Sequence, residues 1–120
     1  MKVQTTLIRD VVEIVNAKGE TIKTWPYTFN VSTGFKRVQE LRAEMMKQNQ
    51  AKDLEAVGRA VFELMAAVFG DDNAADMVKF YENDYMTMLN DLAPVLLDEI
   101  YPAVDRYVDN MLQLRKRTKA

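Results

Sequence analysis

The residues best placed for chemistry in this chain are acidic. Asp71, Asn73 and Glu82 fall at the first, third and twelfth positions of a calcium-binding loop. The fifth position is Ala75, which offers no side-chain ligand, and the sixth is Asp76 where the sharp turn needs glycine. An acidic helix start, favoured by the helix dipole, accounts for the same residues. Carboxylates also pair along the chain as Asp91 with Asp98, Asp98 with Glu99, and Asp105 with Asp109. Two-carboxylate acid–base catalysis needs a cleft that drives the two pKa values apart, whereas these spacings put the groups on the polar faces of helices. Helical dinuclear-metal sites pair Glu with a His three residues on, and the chain has no His and no Cys. Ser32 is the only serine and has no base beside it. Ser32-Thr33-Gly34 opens a helix and does not form a phosphate-cradling loop. The reading is a protein that is not an enzyme, with no catalytic, cofactor-binding or metal-ligating residues.

What remains is apolar patterning. The run Val11-Val12-Glu13-Ile14-Val15 reads as a strand, with Val3, Thr5 and Leu7 as a candidate extension, and Asn16-Ala17-Lys18-Gly19 as a turn in which Gly19 takes positive φ. The return run puts Lys23, Trp25, Tyr27, Phe29 and Val31 on one face. Pro26 cannot donate a ladder hydrogen bond, so the return strand is expected at an edge or bulged there. A lone hairpin is marginal in water, so its aromatic face must pack on the helices or on another chain.

From Ser32 the period changes to three and four. Ser32 or Thr33 is the expected cap of a first helix with Phe35, Val38, Leu41, Arg42 and Met45 on one side, ending at Gln48-Asn49-Gln50. Asp53 caps a second, with Leu54, Val57, Val61, Leu64 and Val68 in a stripe widened by Phe62, Met65 and Phe69, and Gly70 stops it. Asp71-Asp72-Asn73 starts a third, facing inward through Ala74, Met77, Val78 and Tyr81. A fourth begins near Asp84 or Tyr85, with Leu89 and Leu92 inward. The last helices are expected to be kinked or split near Pro94 and Pro102. The final segment carries Val104, Tyr107, Val108, Met111 and Leu114. The expected fold is mainly α with a short N-terminal β-hairpin (α+β). It is a single domain over residues 1–120, divided into a hairpin (1–31), a helical body of four or five helices (32–114) and a basic tail (115–120).

Charge is unevenly distributed. Residues 1–50 carry a net +3, residues 51–110 a net −9, and residues 111–120 a net +4. The acidic middle repels nucleic-acid phosphates, and Arg115-Lys116-Arg117-Thr118-Lys119 suits the negative end of a helix dipole. Met1 to Asp10 lacks the hydrophobic block of a secretory leader. The longest apolar run, Leu92 to Leu97, contains Pro94 between Asp91 and Asp98 and is too short to span a membrane. The absence of cysteine is compatible with a reducing cytoplasm.

Two stretches carry a resemblance. One is Tyr27-Thr28-Phe29-Asn30-Val31-Ser32, where the hairpin enters the first helix. The other is Val68-Phe69-Gly70-Asp71-Asp72-Asn73 with Phe80-Tyr81-Glu82-Asn83-Asp84-Tyr85-Met86-Thr87-Met88-Leu89 and Tyr101-Pro102. Together, over roughly residues 10–115, they resemble the small tail assembly chaperones of long-tailed phages and prophages of Gram-positive bacteria. The resemblance implies a mainly helical, non-enzymatic protein of virion morphogenesis. It would work in the host bacterial cytoplasm, coating the tape measure protein before the tail tube polymerises. It also implies homo-oligomers, a longer frameshifted form, the major tail protein as a further contact, and no cofactor.

Aromatic and Met anchors dominate protein interfaces, so Tyr85, Met88, Tyr101 and Tyr107 are the expected protein-binding residues. The competing reading makes the same four core. Most of the eight Met residues are expected inside, with Met46, Met86 or Met88 as the exceptions. The alternative function is a small helical regulatory or adaptor protein that dimerises and binds nucleic acid or an acidic partner through its basic tail.

Overall fold

The computed structural model describes residues 1–2 and 6–119, with the side chain of Lys119 left aside. The candidate strand residues Val3 and Thr5 therefore lie outside the described residues. The elements run β1 (Leu7–Val15), β2 (Thr21–Asn30), α1 (Val31–Gln50), α2 (Leu54–Phe69), α3 (Asp71–Phe80), α4 (Tyr85–Val95), a π-helical turn (Leu96–Ile100) and α5 (Tyr101–Lys119). The fold is mainly α with a short β-hairpin, as the change of period at Ser32 implies.

The hairpin turn closes because Asn16 Oδ1 accepts from the amides of Lys18 and Glu20 at 2.9 and 3.0 Å, while Gly19 sits at φ +80°. Pairing runs unbroken past Pro26, which faces Val11, and the one register shift lies at Ile14/Val15 beside the turn. Pro26 is accommodated because β1 and β2 form a two-stranded sheet, so each strand has an open edge. Trp25, Tyr27 and Phe29 are buried with Val12. They pack within the chain: Trp25 stands edge-on to Phe80 (5.5 Å between centroids) and Tyr27 edge-on to Phe69 (4.9 Å). Polar contacts fix the same face. Trp25 Nε1 donates to Asp76 (2.8 Å), Lys23 pairs with Asp76 (2.6 Å), and Asn73 Nδ2 donates to the carbonyls of Pro26 and Phe69 (2.7 and 2.9 Å).

Strand passes into helix with no linker. The cap of α1 is Asn30, not Ser32 or Thr33: its Oδ1 accepts from the Ser32 amide (3.1 Å), the Ser32 hydroxyl (2.8 Å) and the Thr6 hydroxyl (2.9 Å). A short amide side chain at the end of a strand reaches the first free helical amides better than a residue already wound into the helix. Gly34 permits the tight entry, since a Cβ there would stand 2.5 Å from Phe29 Cε1.

α2 is the centre of the core. Val57, Val61, Leu64, Met65, Val68 and Phe69 are buried, Asp53 caps it through the Ala56 amide (3.0 Å), and Gly70 at φ +91° stops it. Leu54, expected at the head of the stripe, is 73% exposed. It is the first residue of the helix, beyond the reach of the elements that cover the later turns. α3 and α4 meet at a turn with Glu82 and Asn83 at positive φ, and Asp84 caps α4 through Thr87.

The last helices divide beside the prolines, as expected: α4 ends at Val95 next to Pro94, and α5 begins at Tyr101 next to Pro102. Helix continues through Pro94, and before Pro102 the ladder widens so that the Tyr101 amide bonds to the Leu96 carbonyl, five residues back. Pro102 lacks a donor and its ring crowds the carbonyl of Asp98, and a widened turn relieves both problems. α4, the π turn and α5 thus follow one another as a helical rod with no loop between them. Met88, Leu92, Leu96, Ile100, Tyr101 and Val104 face the core. The radius of gyration is 16.1 Å, against about 13.6 Å for a compact chain of this length, so parts of the molecule project.

Candidate binding surface

The expected chemical groups are absorbed into structure. Asp71 and Asn73 lie in the first turn of α3, where Asn73 ties that helix to the hairpin, and Glu82 lies in the following turn. Among the described residues no group of three or more potential metal ligands comes together. Ser32 donates its hydroxyl to the α1 cap. Of the paired carboxylates, Asp91 accepts from Tyr81 (2.9 Å), Glu99 from Tyr27 (3.1 Å), and Asp105 pairs with Arg42 (3.5 Å). Where titration is displaced, the cause is structural. Hydrogen bonds from Lys23 and Trp25 hold the Asp76 carboxyl below its usual range, and those from Thr87 do the same for Asp84. Burial, then the neighbouring carboxylates, push the phenols of Tyr27 and Tyr81 up.

The four expected anchors lie inside the molecule or at its margin. Met88 is fully buried and Tyr101 is 7% exposed, its ring beneath the Arg42 guanidinium at 4.2 Å. Neither is available to a partner while the chain is folded. Tyr85 is half-buried against Gly58, and Tyr107 half-buried against Phe35 at 4.9 Å. The reason is register. The rod turns these residues toward α1 and α2, and Gly58 leaves room for the Tyr85 ring.

The uncovered apolar residues lie elsewhere. Met46 and Met86 are exposed, and so are Leu97, Met111, Leu112 and Leu114. On the outer face of the hairpin Val11, Val15 and Ile22 are also exposed. The α5 residues have a clear origin. Contacts of Phe35 with Tyr107 and of Arg42 with Tyr101 and Asp105 show that α1 and α5 run antiparallel. α1 begins at Val31, level with Asn110, since both line one depression. Beyond that point no element of the described residues is seen to cover α5, and every residue from 109 to 118 is exposed. The apolar stripe Val104, Tyr107, Val108, Met111, Leu114 therefore starts covered and ends bare. The helical spacing of Met111 and Leu114 is visible in the sequence; that α1 stops short of them is not.

A trough lies between β1 and the α4–α5 rod. Its two depressions, about 590 and about 280 Å³, share Asp10 and Glu99. Glu13, Asp91 and Asp98 add further carboxylates around an apolar floor that includes Val12 and Val95, and Arg106 is the one cation among the lining residues. Such a surface suits binding of a cationic, partly apolar segment.

No family model, no curated protein and no solved structure matches this chain. No helix among the described residues is long and apolar enough to cross a membrane.

Proposed function

We propose that this chain is a tail assembly chaperone of a long-tailed phage or prophage. It would bind the tape measure protein in the host cytoplasm and hold it until the tail tube forms around it. The observation that carries this reading is the bare end of α5, where Met111, Leu112 and Leu114 are 42–53% exposed on an ordered helix. The resemblance of the hairpin–helix junction and of the Phe80–Leu89 segment supports the same reading. A free helix of this length is marginal in water, and a stable one gains from a partner that covers its apolar side. Fully burying a Leu or Met contributes about 1.5–3 kcal/mol. Three half-exposed side chains thus supply a few kcal/mol, a contact that releases readily. Many copies on one long client convert such weak contacts into firm retention, which suits a chaperone that must later be displaced.

The decisive experiment is co-expression with a tape measure protein. The client should become soluble and co-purify. An insoluble client with nothing bound would end this reading. The second reading, a regulatory protein using Arg115, Lys116 and Arg117, draws on the exposure of those residues. Titration with duplex DNA separates the two. Micromolar, salt-sensitive binding would favour the regulator, and no binding is expected of the chaperone.

A further inference from the structure

The two edges of the hairpin differ. The Val31 amide donates to the Thr6 carbonyl at 3.0 Å, in line with a register that sets Leu7 opposite Asn30 and Ile8 opposite Phe29. Bonding between antiparallel strands alternates from residue to residue. The even-numbered residues of β1 therefore bond to β2, while Arg9, Val11 and Glu13 turn their amides and carbonyls to the outer edge. Pro26 stands opposite Val11, so its carbonyl lies on the outer edge of β2, where Asn73 of α3 donates to it at 2.7 Å. Among the described residues no strand pairs with the outer edge of β1. Its Val11 amide is held by a carboxylate instead: Asp10 Oδ1 accepts from it at 2.8 Å.

That edge borders the trough. Residues of β1 line both depressions, whereas β2 contributes only Tyr27 among the described residues. Asp91, Asp98 and Glu99 stand on the opposite wall, and Asp10 on the strand itself. Among the described residues none of these four carboxylates is in an ion pair.

We infer that an extended, cationic segment of a partner protein enters this trough and adds to β1 as a third strand. The main-chain groups of Arg9, Val11 and Glu13 supply the pairing. A helix has its own main chain already bonded and cannot use such an edge, so the occupant is extended. Its side chains alternate between the two faces of the sheet. On the inner face they meet the four carboxylates above an apolar floor, which suits Lys or Arg with its stem laid on Val12 and Val95. On the outer face they flank the exposed Val11 and Val15, which suits β-branched residues. The occupant is thus a run in which Lys or Arg alternates with β-branched residues. A cation beside Asp10 also draws that carboxylate from the Val11 amide and frees the donor for the incoming strand. This surface is separate from the end of α5, and its use does not depend on the identity of the client.

The test uses the full-length protein and a peptide of alternating lysine and valine, blocked at both ends and about eight residues long, enough to span about 27 Å of strand. The contact is smaller than the roughly 800 Å² per partner of a stable complex, so titration extends to about 1 mM. At saturation the amides of Arg9 and Glu13 should exchange with solvent at least about tenfold more slowly by NMR, while those of Ile8 and Val12, already bonded to β2, change little. Binding should weaken at least about tenfold with glutamate in place of lysine, or on an Asp10→Lys, Asp98→Lys variant. It should also weaken in about 1 M salt, where the screening length drops to about 3 Å. Methyl groups on the valine nitrogens block an antiparallel third strand, and on the lysine nitrogens a parallel one, so one of these two peptides should fail to bind. Arg9→Pro removes an outward donor, leaves the β1–β2 ladder whole and takes away a cation, so its expected loss of binding reports strand pairing and not charge. Circular dichroism confirms that each variant is folded. Unprotected Arg9 and Glu13 amides, equal binding of the two methylated peptides, or undiminished binding to the Arg9→Pro variant overturns the inference. Protection that rises with protein concentration in the absence of peptide assigns the edge to a second copy and overturns it as well. A protein that solubilises a tape measure protein but takes up no peptide would refute strand addition and leave the chaperone reading intact. Peptide uptake beside an insoluble client would do the reverse.

Discussion

The two halves of α5 differ in what lies beside them far more than in pattern. From Tyr101 to Val108 the helix packs against α1, with Tyr101 and Val104 buried, Phe35 against Tyr107, and Arg42 bridging to Asp105. From Asp109 onward the same spacing of apolar residues continues, and residues 109–118 are exposed. Amphipathic pattern alone thus does not distinguish a core helix from a docking helix. The difference comes from where the antiparallel partner begins. In the covered half the apolar residues stabilise the fold; in the bare half they are left exposed.

Substitutions can break or sharpen this comparison. The largest loss is expected at the hairpin–helix interface. Trp25→Ala should cost about 3–5 kcal/mol, since the ring is buried and also donates to Asp76. Chemical denaturation measures this, and a loss under about 1 kcal/mol would mean that the hairpin does not rest on α3. Met88→Ala, at the centre of the core, should cost about 2–5 kcal/mol. If it instead left stability unchanged and reduced client binding, Met88 would be a surface anchor after all.

Asn30→Ala removes the α1 cap and should cost about 1 kcal/mol, whereas Ser32→Ala, which leaves Asn30 capping the helix amide, should cost less. An equal loss at both sites would assign the cap to Ser32.

Acid sensitivity at Asp76 gives a smaller effect. Its folded pKa lies below the unfolded value of 3.8, so the stability it adds is present above that pH and fades as pH falls through the folded value. Asp76→Asn should flatten that part of a stability profile between about pH 5 and pH 2, and an unchanged profile would mean that the contacts of Asp76 with Lys23 and Trp25 add no stability.

The smallest stability change is expected in the bare half of α5. Leu114→Ala should stay within about 0.5 kcal/mol while weakening association with client. A loss of several kcal/mol there would show that α5 is packed to its end.

Much of the fold is legible in the residue pattern. The change from period two to period three-and-four at Ser32 separates hairpin from helices. Gly19 and Gly70 mark turns because they can take positive φ, and Asp53 and Asp84 mark helix starts because a carboxylate satisfies free amides. These are local rules, and the neighbouring residues suffice to apply them. The candidate surface is less legible. Tyr85, Met88, Tyr101 and Tyr107 have the types that interfaces favour, yet the same types fill cores, and all four pack inward or at the margin.

Sequence alone determined the order of elements, the cap at Asp53, the stop at Gly70, a helix start near Asp84 or Tyr85, and the separation of charge into an acidic middle and a basic end. Each of these follows from steric limits and hydrogen-bond needs within a few residues, or from composition. Tertiary structure decided which apolar stripe is covered, that the aromatic face of the hairpin packs on its own helices, and that α5 outruns α1. Burial depends on which distant segments come to lie side by side, and no local period records where a neighbouring helix stops.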